Sequence, residues 1–135
     1  MKKTLLSLLL LMICIVSTTL FAQNKTQVQA AKSTVAISGY YFHFTSRCVT
    51  CKAVEAEAKK DLAELYGSRS TFQSLNLDDK SSEPMAEKLN VSGQTLLVVV
   101  GGKQVNLTNE GFMYARSNPT KFKAIIKEKV DALLK

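Results

Sequence analysis

Arg47-Cys48-Val49-Thr50-Cys51-Lys52 stands between two segments of opposite character. Before it, Tyr40-Tyr41-Phe42-His43-Phe44 is aromatic, a composition that favours a strand. After it, Val54, Ala58, Leu62 and Leu65 recur at three- and four-residue steps, the apolar stripe of a helix read from Cys51 to Tyr66. Glu55 and Lys59 form a favourable pair on its solvent side, and Gly67 ends it. A strand that feeds Cys-x-x-Cys into a helix start places the first sulfur against free backbone N–H groups and the positive end of the helix dipole. Both favour a thiolate, and Arg47 adds positive charge. Two residues later the chain has turned far enough to bring the second sulfur within disulfide reach. Cys48 is therefore the expected nucleophile and Cys51 the resolving thiol, with Val49 and Thr50 tuning the potential. His43, the only histidine, reads as an ordinary strand residue.

Outward from this stretch, the pattern predicts an alternating α/β order. Ser33–Ser38 reads as a short edge strand, broken by Gly39 from a strand over Tyr40–Thr45. Phe42 and Phe44 would face one side of that strand and Tyr41 and His43 the other, burying it on both faces. Thr71–Leu77 is the next strand, and Asp78–Ser82 a turn. Glu83–Leu89 is a short helix with Pro84 in its first turn. Asn90–Gln94 is a loop into Thr95–Val100, an unbroken apolar run of the kind found in a buried central strand. Gly101-Gly102 signals a tight hairpin, with Lys103–Leu107 returning. Thr108–Ser117 reads as irregular. Asn118-Pro119 starts a helix with Phe122, Ile125, Ile126, Val130, Leu133 and Leu134 on one face. A helix between the first two core strands makes them parallel, and the hairpin makes the last two antiparallel. The expected fold is a four-stranded mixed sheet with helices on both faces.

The chain's 135 residues fit one domain. Its start has the form of an export signal, residues 1–22. Lys2 and Lys3 are followed by the apolar Leu5–Val16 run and a cleavage region ending at Ala22. Residues 23–38 are expected to form a lead-in and 39–135 the domain, in an exported, periplasmic protein that meets a membrane only through the signal, or an extracytoplasmic one if that segment is retained as an anchor. Cys14 falls within the signal, leaving Cys48 and Cys51 of the three cysteines. A bridge between them would close almost no chain and constrain the unfolded state little, which argues for redox or ligand chemistry rather than stapling. The net charge of +7 is spread among interleaved acids, without an aromatic-and-arginine surface, so no nucleic-acid partner is expected.

The element order, with Cys-x-x-Cys after the first core strand, resembles the thioredoxin family, whose three-layer fold and redox-active disulfide are then implied without any other cofactor. Cys48-Val49-Thr50-Cys51-Lys52 resembles the family's active-site turn, and Leu75-Asn76-Leu77-Asp78 the end of its next parallel strand. Val91–Leu97 is similar to the segment entering the strand opposite the cysteines, which places Gln94 and Thr95 on the rim of the site. More narrowly, Tyr41–Phe44, Arg47–Lys52 and Leu107–Arg116 resemble a bacterial thioredoxin-like branch named nitrophenyl-compound nitroreductase subunit ArsF. That branch is associated with arsenic-resistance gene clusters, and its name implies a reductase partner. Where thioredoxins carry a cis-proline this chain has Gln94, so another loop shape is expected. Phe42 and Ser74 stand where the family has a buried Asp and its Lys. The expectation is an exported thiol–disulfide oxidoreductase or electron-carrying reductase subunit whose partner is a protein thiol or disulfide. The alternative is a module in which the Cys48 and Cys51 thiolates capture a soft ion such as Cu(I) or As(III).

Overall fold

Strand β1, Ile37–His43, is the spine of a computed structural model that describes residues 35–135. The expected signal segment, Cys14 and the lead-in up to residue 34 lie outside the described residues. After β1 come α1 (Val49–Tyr66), a 3-10 turn (Gly67–Arg69), β2 (Ser70–Asn76) and a second 3-10 turn (Lys80–Ser82). Then follow α2 (Glu83–Lys88), β3 (Thr95–Val100), β4 (Lys103–Asn106), α3 (Thr108–Tyr114) and α4 (Pro119–Leu133). The strands form one sheet in the order β2-β1-β3-β4.

The connections dictate the directions. With α1 crossing between them, β1 and β2 run parallel, from Ile37 opposite Ser70 to His43 opposite Asn76. β3 returns antiparallel to β1, with Phe42 opposite Thr95. Between β3 and β4 the chain reverses in Gly101-Gly102, whose φ angles of 55° and 84° are open to glycine at no steric cost. This is the four-stranded mixed sheet, with one parallel pair and an antiparallel hairpin, expected from the sequence.

Alternation along the strands divides the interior. Ile37 and Tyr41 point with Leu96, Val98 and Val100 to the face where Val54, Ala58 and Leu62 of α1 meet Phe122, Ile126 and Val130 of α4. Leu107 and Ala115, at the two ends of α3, complete this core. On the other face Phe42 and Leu97 are buried. There α2 places Ala86, and the following Leu89–Gln94 loop runs beside Leu97 and Asn106. Asn118 caps α4 by accepting the Lys121 N–H at 3.1 Å, and Pro119 occupies the first turn, as the sequence signals.

Glycine accounts for two differences from expectation. β1 passes through Gly39 without a break. A Cβ there would stand 2.6 Å from Leu62 Cδ1 and 2.8 Å from Phe72 Cδ2, so the residue lets α1 and β2 approach. The Thr108–Ser117 segment, expected to be irregular, contains α3. Gly111, within α3, marks contact with α1: a Cβ would lie 2.9 Å from Val54 Cγ1. At the ends of elements, β1 stops before Phe44, which is 43% exposed rather than buried beside Phe42. α1 begins at Val49 instead of Cys51, because Cys48 already caps it.

Candidate functional site

At the N-terminus of α1 the backbone of Cys48 is extended (φ −76°, ψ 163°), the conformation of a cap residue. Its Sγ accepts the Cys51 N–H at 3.0 Å, and Cys51 Sγ accepts the Cys48 N–H at 3.2 Å. The sulfurs thus take the capping-box role that Ser and Glu side chains fill elsewhere, each satisfying a backbone donor the helix leaves free. Cys48 and Cys51 are joined in a disulfide, with Cα atoms 5.0 Å apart. Cys48 is exposed, whereas Cys51 is only 6% exposed. An incoming sulfur therefore meets Cys48. Once the bridge opens, Cys48 keeps an N–H donor and the helix terminus, which favour negative charge on its sulfur.

The other expected site residues divide into those brought to the sulfurs and those turned elsewhere. Gln94 is brought in, with Oε1 3.9 Å from Cys51 Sγ and Nε2 donating to the Tyr41 hydroxyl. Thr95 opens β3 and turns its hydroxyl to the Gly93 carbonyl at 2.9 Å. With Gln94 it lines the groove on the second sheet face. No peptide bond among the described residues is cis. Val49 is 69% exposed beside Cys48. Thr50 lines a shallow groove with Phe112, Met113 and Arg116. The Arg47 guanidinium lies over the Tyr41 ring, 5.7 Å from the centroid, and pairs with Glu55. Glu55 thus pairs with Arg47, where helical spacing had pointed to Lys59.

Other ionisable groups at this end are also engaged. His43 Nδ1 lies 2.9 Å from the Phe44 carbonyl, and its ring lies 6.0 Å from that of Tyr41. Asp78 Oδ2 accepts the Thr45 N–H at 2.7 Å, which holds its carboxyl below the usual range. Burial raises the Tyr41 hydroxyl above its ordinary pKa, against smaller lowering influences from the Gln94 hydrogen bond and the Arg47 charge. Sequence reasoning missed Tyr41 and Glu55 as neighbours of the site, because a cross-strand amide and an eight-residue ion pair leave no periodic signal. Among the described residues no group of three or more His, Cys, Asp or Glu side chains gathers to hold a metal ion.

The site thus joins an exposed sulfur to a buried one at the N-terminus of α1, beside a four-stranded mixed sheet. No protein-family model matches the chain, and no curated protein matches it. Among solved structures it is similar to the thioredoxin-like protein Trxlp from Edwardsiella tarda EIB202. The TM-score is 0.49 at 18% identity, over 70% of this chain and 84% of that one. A second similar structure is described only as that of a malarial protein, with a TM-score of 0.40 at 24% identity over 51% of this chain and 74% of the other.

Proposed function

We propose that the protein is an exported thiol–disulfide oxidoreductase, in the form of an electron-carrying subunit for a reductase partner. The observation that carries this reading is the asymmetry of the pair, with Cys48 exposed and capping α1 while Cys51 is buried behind it. In the reducing direction the Cys48 thiolate attacks one sulfur of a partner disulfide. The partner S–S bond breaks, and its other sulfur leaves as a thiolate that takes a proton. Cys51, having lost its proton, then attacks the Cys48 sulfur and releases the partner's second thiolate. Two electrons pass to the partner, and the Cys48–Cys51 bond is restored. The reverse sequence reloads the dithiol from a donor.

Export is supported by the charged and apolar run of residues 1–22. The ArsF-type assignment, with its link to arsenic resistance, is supported by the resemblance over Leu107–Arg116. This segment includes α3, whose Phe112 and Met113 are exposed at 38% and 59% and share a groove with Thr50. All the exposed large hydrophobic side chains among the described residues, Phe44, Val49, Phe112 and Met113, belong to the segments flanking Cys48 or to α3. A protein partner would cover such a surface when delivering its disulfide.

The experiment is trapping. In cells that export it, the Cys51→Ser variant should accumulate a mixed disulfide through Cys48, and the Cys48→Ser variant should accumulate none. Recovery of the variant without any disulfide-linked partner, together with stoichiometric binding of Cu(I) or As(III) by the native dithiol, would replace this reading with soft-ion capture.

A further inference from the structure

Once reduced, the pair must distribute protons between an exposed sulfur and a buried one. Cys48 has solvent and the Cys51 N–H, while Cys51 has the Cys48 N–H and little water. The usual aid for a buried thiol would be a nearby acid or base, and the groups at this end are committed elsewhere. On α1, Glu55 is held by Arg47, and Lys52 is exposed. On β1, His43 contacts the Phe44 carbonyl, and after β2 the Asp78 carboxylate is held by the Thr45 N–H.

What meets the buried sulfur comes from the loop before β3. Gln94 Oε1 stands 3.9 Å from Cys51 Sγ. The other end of the amide is fixed, since Nε2 donates to Tyr41, a fully buried residue whose ring lies under the Arg47 guanidinium. In the disulfide the sulfur carries no hydrogen, so the approach is a contact only. On reduction the new S–H can donate to Oε1. A carbonyl oxygen aimed at the sulfur opposes negative charge there, and burial acts in the same direction.

We propose that Gln94 is a positioning residue that keeps Cys51 a protonated thiol in the reduced protein, so that the dithiol's negative charge rests on Cys48. Oε1 takes the S–H while Tyr41 anchors the opposite end of the amide. The inference rests on the thiol–disulfide reading and adds how this site chooses its nucleophile. In the resolving step Cys51 gives its proton to solvent and attacks the Cys48 sulfur, and the partner's sulfur leaves as a thiolate and is then protonated. Gln94 therefore restrains this second step at neutral pH while ensuring that the first uses a single sulfur.

The test titrates the reduced protein by thiolate ultraviolet absorbance, where the two steps belong to the coupled pair. Gln94→Ala should lower the second step by about one pH unit and speed resolution of a Cys48–glutathione mixed disulfide about three- to fourfold at neutral pH, the larger thiolate fraction being partly offset by its lower nucleophilicity. Gln94→Glu should shift the second step the other way. Tyr41→Phe, which keeps the buried ring and frees the amide to turn its N–H toward the sulfur, should move it in the Ala direction by less. A loss of packing alone would not produce opposite shifts from Ala and Glu. A second step unchanged or raised in Gln94→Ala overturns the proposal. The titration needs only reduced protein, so wild-type protein that titrates in this pattern but exchanges no disulfide defeats the functional reading and leaves the Gln94 assignment standing.

Discussion

Asp61 is the clearest case of a single residue working against the fold. It lies on α1 at 1% exposure, and its Oδ2 has no hydrogen-bond partner. Glu57, Lys60 and Glu64 of its own helix and Lys123 of α4 surround the same cleft, and the lysines pair with the two glutamates, not with Asp61. Burial pushes its carboxyl from 3.8 up to about 6, with Lys60 opposing and Glu57 adding to the rise. A raised carboxylate pKa means the folded state binds the proton more tightly than the unfolded state. The penalty is therefore fully present above about pH 6 and is relieved as pH falls toward 3.8. Asp61→Asn should stabilise the protein by about 1–2 kcal/mol at neutral pH and by little near pH 4, read from urea midpoints. An equal gain at both pH values would show that the charge is not responsible. Arg47 invites a second prediction, since its guanidinium serves Glu55 and the Tyr41 face. Arg47→Lys keeps the charge but loses the planar stack, and should cost about 1 kcal/mol of stability with little change in the rate at which Cys48 is alkylated.

Elements were legible in the sequence where a period or a turn signal was strong. The apolar run Thr95–Val100, the Gly101-Gly102 turn and the Asn118-Pro119 helix start each appear in place. Glycines whose meaning is tertiary were not legible. Gly39 resembles an interruption locally, yet it and Gly111 each lie where another element comes too close for a side chain. At Gly111 two effects compete, because alanine is the better helix former by about 1 kcal/mol, while overpacking costs about 1–3 kcal/mol. The 2.9 Å approach is to Val54, a β-branched side chain on a helix with little freedom to move, so overpacking should win. Gly111→Ala should lower stability by about 1 kcal/mol, and Val54→Ala in the same chain should recover part of that loss. Additive losses in the double variant would mean that α3 does not press on α1 there. The site followed the same pattern. The Cys48–Cys51 spacing and its helix were visible from the residues, whereas Tyr41, Gln94 and Glu55 come together only through the β1–β3 pairing and the fold of the Arg47 side chain.

Across the whole described unit, the core holds the fold and the disulfide contributes little to it. A bridge spanning a sequence separation of 3 removes little freedom from the unfolded chain. Fully buried Phe122, Leu62, Leu96 and Ile126 contribute about 1.5–3 kcal/mol each on burial, and together several times more than such a short loop. The pair is thus free to open and close without unfolding its scaffold, as a redox cycle requires. Reduction should shift the thermal midpoint by only a few degrees, and a collapse of the fold on reduction would make the bridge structural.

The central claim is that Cys48 exchanges disulfides and Cys51 resolves them. The most direct measurement mixes the reduced, purified protein with oxidised glutathione and follows the products by mass. The account predicts transient glutathione on Cys48 in the native chain, followed by closure of the Cys48–Cys51 bond. In Cys51→Ser the Cys48 adduct should persist, and in Cys48→Ser no comparable adduct should form. Adducts appearing first on Cys51, or a native dithiol that remains unreacted, would contradict it.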